Sequence, residues 1–206
     1  VNHSDVITIV TGVPRSGTSM LMRMLGAGGV PLLVDDQRPP DDNNPHGYFE
    51  FTPVARTKSE ADWVPTARGR AVKVVSYLVP YLPLGEDYRF IFMRRTMDEV
   101  LTSQDRMLGK VGPAPDDRFA EVFARQDLLA QAWIEAQCAP AIAVPFAQVH
   151  ADPAKVAGEV AAFLGGGFDV AAMAAAVNPA LYRNRAVDAQ QAITTRHALH
   201  QGVSGS

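Results

Sequence analysis

The sequence predicts an α/β fold, a three-layer sandwich around a mainly parallel sheet. Short β-branched apolar runs alternate with longer stretches of helical periodicity, and the first run leads directly into a glycine-bracketed loop and a helix. The chain has 206 residues, 47% hydrophobic and 20% charged, enough for one substantial core and too few for two comfortable ones. We therefore expect one domain over residues 1–186 and a polar, mobile tail over 187–206.

The formal net charge of −3 supplies no basic field, which argues against nucleic acid as the main partner and makes any anion site local. Cys138 is the single cysteine, so there is no disulfide framework and no cysteine-based zinc site. The five histidines show no metal-ligand spacing, and no metal is expected. No apolar run approaches the roughly 20 residues that span a bilayer. The segment Val1-Asn2-His3-Ser4-Asp5 is unlike a signal-peptide start. These features lead us to expect a cytoplasmic protein.

The first strand is Ile7-Thr8-Ile9-Val10-Thr11, followed by Gly12-Val13-Pro14-Arg15-Ser16-Gly17-Thr18-Ser19 and a helix through Met20-Leu21-Met22-Arg23-Met24-Leu25. Strand, glycine loop and helix start in that order place free backbone amides and the positive end of a helix dipole around a phosphate-like anion. Gly12, Gly17 and Ser19 match three positions of G-x-x-x-x-G-K-[ST], but Thr18 stands at the lysine position. That lysine reaches the outer phosphates of a bound triphosphate. Its absence weakens a reading as an ordinary ATPase or kinase, and Arg15 would have to supply the charge.

Gly26-Ala27-Gly28-Gly29 ends the helix, and residues 35–47 form a long polar, proline-rich loop. It runs into His46-Gly47-Tyr48-Phe49-Glu50 and is expected to shape an acceptor pocket, residues 35–63 setting its form. Glu50, flanked by aromatic surface, would lose hydration and become a better proton acceptor. His46 is the second candidate base. The arginines and lysine of residues 56–70 read as a solvated face.

The second strand is Ala71-Val72-Lys73-Val74-Val75-Ser76, and its lysine either snorkels or points at the anion loop. The third, Tyr88-Arg89-Phe90-Ile91-Phe92-Met93, ends in Arg94-Arg95. Thr96-Met97-Asp98-Glu99 then has the spacing of a capping box, and Met97, Val100, Leu101, Met107 and Leu108 repeat with helical period. A long helix follows from Asp116 or Asp117 to about Gln137, and Ala141-Ile142-Ala143-Val144-Pro145-Phe146 is the fourth strand, its proline marking an edge or exit. Asp152-Pro153 opens an alanine-rich helix that stops at Gly165-Gly166-Gly167, and Asp169 begins a last short one.

Pro14-Arg15-Ser16-Gly17-Thr18-Ser19 resembles the 5′-phosphosulfate loop of the PAPS-dependent sulfotransferases, in which a lysine or arginine follows the proline. Arg95 and Ser103, seven residues between them, resemble the 3′-phosphate segment of that family, and a guanidinium with a hydroxyl suits that group. Lys73-Val74-Val75 is similar to the family's Lys-Thr-His, with valine in place of the histidine base, which shifts attention to Glu50. The Asp-Pro helix with its Phe163-Leu164-Gly165 ending is also similar to the family's C-terminal half. Arg183 and Arg185 are carried over as its basic C-terminal segment, although Arg-Lys-Gly is absent.

The resemblance spans roughly residues 6–185 and implies a P-loop fold like that of small bacterial sulfotransferases. By that resemblance PAPS is the co-substrate and a hydroxyl or amine on a small molecule or side chain is the acceptor. Pro14, Arg15, Ser16, Gly17, Thr18, Ser19, Arg95, Ser103, Arg183 and Arg185 would hold the nucleotide, and Arg15, Glu50, Lys73 and His46 would act in catalysis. A kinase with a variant loop and a catalytically silent nucleotide-binding module are the alternatives.

Overall fold

The computed structural model describes residues 5–35, 37–41, 44–109 and 117–178. The expected tail, Arg183 and Arg185 lie outside the described residues. Four strands form one parallel sheet in the order β2-β1-β3-β4: β1 Ile7–Thr11, β2 Ala71–Lys73, β3 Tyr88–Arg94 and β4 Ala141–Pro145. The register sets Ile9 against Val72 and Phe90, and Phe92 against Ala143. Connections leave β1 toward β2 on one side, and the chain then crosses to β3 on the other. The crevice between the C-terminal ends of β1 and β3 is thus the switch point where open parallel sheets take ligands.

Period-two alternation along the strands explains the layers. Ile7 and Ile9 of β1 with Phe90 and Phe92 of β3 face one core, which Trp63, Val72, Val79 and Ile134 complete. Val10 and Ile91 face the opposite core, filled by Leu21, Met24, Val156, Val160 and Met173. Helix α1 (Thr18–Ala27), helix α5 (Pro153–Phe163) and helix α6 (Val170–Ala175) cover that second face. Helix α3 (Asp117–Ala136) and the 3-10 turns Thr52–Arg56, Val64–Ala67 and Ser76–Tyr81 cover the first.

Helix α2 (Met97–Met107) starts where expected, but the capping box does not form. Thr96 makes no side-chain cap hydrogen bond, and Glu99 instead takes the Nε of Arg95 at 3.1 Å, both side chains being buried. An ion pair to a guanidinium out of water outcompetes a hydroxyl cap at a helix start. Two further departures concern length. The second strand stops at Lys73, because Ser76 turns its amide onto the Gly12 carbonyl, and Phe146 opens a short helix α4 (Phe146–Ala151) directly after β4. Asp152 caps α5 through the Lys155 amide, and Asp169 caps α6 through that of Ala172.

Candidate active site

The loop between β1 and α1 is built to leave no room for side chains at its glycines. At Gly12, φ +148°, a Cβ would lie 2.6 Å from Ser16 Oγ, and at Gly17, φ +106°, it would lie 2.5 Å from the Phe146 ring. Arg15 itself takes a left-handed φ of 69°, a conformation costing an L-residue about 1–2 kcal/mol. That turn sends its side chain toward α2, where Nε donates to Ser103 Oγ at 3.1 Å and a terminal nitrogen reaches Met107 sulfur at 3.7 Å. Burial lowers the Arg15 pKa, against the opposing influence of Tyr48 and Asp41.

Arg95 braces the loop from β3. One terminal nitrogen donates to the Arg15 carbonyl at 3.1 Å, and the guanidinium lies 4.1 Å over the Phe146 ring. The two elements picked from the sequence are therefore one assembly: Arg15 holds Ser103, and Arg95 holds Arg15.

Ser16 departs from the expectation. Its side chain is fully buried with no partner for Oγ among the described residues, and its amide donates to the Val13 carbonyl at 3.1 Å. The tight turn at Val13–Ser16 uses that amide and folds the hydroxyl back under Gly12, away from the cleft. Gly17, Thr18 and Ser19 remain, at the first turn of α1, whose leading amides have no intrahelical acceptor.

Lys73 brings the end of β2 to this helix start. Its Nζ, almost wholly out of water, donates to Ser19 Oγ at 3.3 Å, to the Tyr48 carbonyl and to Glu50 Oε1 at 3.0 Å. Burial lowers its pKa and the neighbouring Glu50 carboxylate opposes the shift. Residues 35–50 close on themselves, the Asp35 amide donating to the Glu50 carbonyl at 2.8 Å and Thr52 hydrogen-bonding the Asp35 carboxylate. Tyr48 donates to Asp41 and carries the Arg38 guanidinium 3.4 Å over its ring.

The desolvation expected for Glu50 is not found. Its side chain is 37% exposed and its carboxylate is shared between Lys73 and Arg38, the latter at 3.2 Å. The loop turns Phe49 away through a left-handed φ of 51°, so two cations rather than aromatic surface meet the carboxylate. His46 is exposed in the same loop, and loss of hydration together with the Arg23 charge holds its pKa below the ordinary histidine value.

A cavity of about 320 Å³ collects these groups: Pro14, Arg15, Gly17, Thr18, Ser19, His46, Glu50, Lys73, Arg95 and Ser103 all line it. Arg23, Arg106 and Phe146, which sequence reasoning missed, line it too, as do Arg38 and Tyr48 of the loop expected to shape an acceptor pocket. Arg23 was findable, because it stands four residues after Ser19 and so on the same helix face. Arg38 and Tyr48 reach the cleft through the folding of that long loop.

No family model matches the chain, and neither does any curated protein. Among solved structures it is similar to the sulfotransferase domain from the Synechococcus PCC 7002 olefin synthase, 17% identical, covering 85% of each chain with a TM-score of 0.49. It is also similar to the sulfotransferase domain from the curacin biosynthetic pathway, 14% identical, covering 93% of this chain and 97% of that one with a TM-score of 0.50. Identities this low speak to architecture, and the architecture of this chain is a sulfotransferase-like α/β fold.

Proposed function

We propose that this chain is a sulfotransferase that takes PAPS as donor and a hydroxyl or amine as acceptor. The observation that carries the reading is the Arg15–Ser103 hydrogen bond, which joins the anion loop and the α2 segment in one cleft at the sheet's switch point. The cleft residues suit a doubly phosphorylated nucleotide: a loop with no space for a Cβ, first-turn amides, and several guanidinium groups with planar bidentate donors. PAPS supplies a sulfuryl group: the acceptor oxygen or nitrogen bonds to sulfur, the bridging S–O bond breaks, and its electron pair stays on the 5′-phosphate.

The chain's residues then take these roles. Amides of Gly17, Thr18 and Ser19 hold the 5′-phosphate, Ser103 and Arg95 the 3′-phosphate, and Arg15 with Lys73 meets the charge that develops on the leaving oxygen. Glu50 accepts the acceptor's proton, standing through Lys73 beside Ser19, while His46 lines the same cleft. Arg183 and Arg185 are proposed to close over the 3′-phosphate. The Lys73 ammonium against the Ser19 hydroxyl favours sulfuryl over magnesium-assisted phosphoryl transfer, because a cation already meets the hydroxyl that would face magnesium.

Incubation with PAPS and a panel of alcohols, phenols and amines tests the reading by formation of adenosine 3′,5′-bisphosphate together with a sulfated product. Magnesium-dependent ATP turnover in its place identifies a kinase, and bisphosphate binding without transfer to any acceptor identifies a silent binding module. Loss of transfer in Glu50→Gln assigns the base to Glu50, and retention moves it to His46.

A further inference from the structure

Among the described residues, six cationic side chains line the cleft, Arg15, Arg23, Arg38, Lys73, Arg95 and Arg106, against the single carboxylate of Glu50. Glu50 engages Arg38 and Lys73, Glu99 engages Arg95, and Ser103 engages Arg15. Arg106 is exposed to water, and Arg23 is different. It makes no hydrogen bond or ion pair among the described residues, its Nε is cut off from water without an acceptor, and burial lowers its pKa. A half-buried guanidinium left in that condition at the wall of a cavity is arranged for an anion that arrives from outside.

Arg23 lies one helical turn beyond Ser19 on α1, about 5–6 Å farther from the loop at the backbone. Ser103 and Arg95 belong to the β3 side of the loop. Arg23 shares its cavity with His46, which lies in the segment that Lys73 of β2 fastens through the Tyr48 carbonyl and Glu50. β2 and β3 flank β1 on opposite sides.

We infer that Arg23, with His46 in the same cavity, is an oxyanion subsite on the β2 side of the loop, and that the acceptor carries a carboxylate or phosphate seated there. The subsite stands on the unpartnered Arg23 Nε at the cavity wall, and the word acceptor rests on the sulfotransferase reading. The hydroxyl or amine to be sulfated is thus carried by an acidic molecule, and its acidic group positions it.

His46 reports on the subsite directly, since the Arg23 charge bears on its imidazole. The experiment follows the His46 ring by NMR through a pH titration of wild type, Arg23→Gln and Arg23→Lys. Each protein is titrated alone, with inorganic phosphate and with acetate, and with and without saturating adenosine 3′,5′-bisphosphate. In wild type an added oxyanion raises the His46 midpoint, with bisphosphate bound as well as without it. In Arg23→Gln the midpoint is already higher, and phosphate binding read at His46 weakens at least tenfold. Arg23→Lys keeps part of the response. Bisphosphate affinity changes less than twofold among the three proteins.

A wild-type His46 midpoint that neither phosphate nor acetate moves overturns the subsite. So does a tenfold loss of bisphosphate affinity in Arg23→Gln, which would place Arg23 in the donor site. Response to phosphate alone indicates a phosphorylated acceptor, and response to acetate as well indicates a carboxylate. If bisphosphate fails to bind the wild type, the sulfotransferase reading falls while the His46 titration still decides the subsite.

Discussion

Gly17→Ala is the substitution that most sharply probes the anion loop. Two separate penalties add at this position. The backbone sits at φ +106°, where an L-residue costs about 1–3 kcal/mol. A methyl there would also lie 2.5 and 2.8 Å from two carbons of the Phe146 ring, an overlap of the kind that costs typically about 1–3 kcal/mol. The ring has little freedom to yield, with the Arg95 guanidinium 4.1 Å above it and the His150 ring 4.7 Å away. The sum, about 2–6 kcal/mol, is a large share of the roughly 5–15 kcal/mol that a domain has. Urea unfolding should show the unfolding free energy falling by that amount, through a lower midpoint with the slope unchanged. The cycle with Phe146→Leu separates the two penalties, because the smaller side chain relieves the overlap and leaves the backbone strain. The double variant should therefore recover about 1–3 kcal/mol relative to additivity. A Gly17→Ala protein within about 0.5 kcal/mol of wild type, in the range of ordinary surface substitutions, would refute the reasoning.

Three other outcomes follow from the same contacts. In Lys73→Met the Tyr48 carbonyl keeps the Ser19 hydroxyl and Glu50 keeps Arg38, so stability should change by less than about 2 kcal/mol, while bisphosphate affinity measured by calorimetry falls about tenfold; equal affinity would remove Lys73 from the donor site. Arg95→Ala takes a buried partner from Glu99 and a donor from the Arg15 carbonyl and should destabilise by about 3 kcal/mol in urea, with part of that recovered in the double variant with Glu99→Ala. Burial holds the Asp127 carboxyl above its ordinary range, against the influence of Ser76 and Arg94. The native state therefore keeps this proton at pH values where the unfolded chain has lost it, and that contribution to stability is lost as pH rises through the folded pKa. Asp127→Asn should gain stability relative to wild type across that window, and a variant that loses ground as pH rises would contradict the assignment.

How much of this was legible in the sequence follows from how local each feature is. The strand-loop-helix at residues 7–27 and the Asp152 and Asp169 caps are set by neighbours within a few positions, and all appear where the residues place them. The sequence pattern also located Arg95 and Ser103, but not that Arg15 would bridge to Ser103 across 88 positions. The capping box failed because Glu99 had a stronger local competitor in Arg95, which precedes the helix cap by one residue and pairs with Glu99 out of water. Ser16 was carried with its loop, yet a type of residue does not say which way its hydroxyl turns. Glu50 was judged from its aromatic neighbours in the chain, whereas its neighbours in space are Arg38 and Lys73, brought together by a loop closure between Asp35 and Glu50. Such closures depend on backbone hydrogen bonds that leave no compositional trace.

The central claim is that the loop and the α2 segment together read a nucleotide carrying both a 5′- and a 3′-phosphate. Calorimetric titration with adenosine 3′,5′-bisphosphate and with AMP, on wild type and Ser103→Ala, tests it most directly. We predict that wild type binds the bisphosphate at least tenfold more tightly than AMP, the difference being about 1.4 kcal/mol or more, and that Ser103→Ala narrows the gap while leaving AMP affinity alone. Equal affinity of wild type for the two nucleotides would contradict the account.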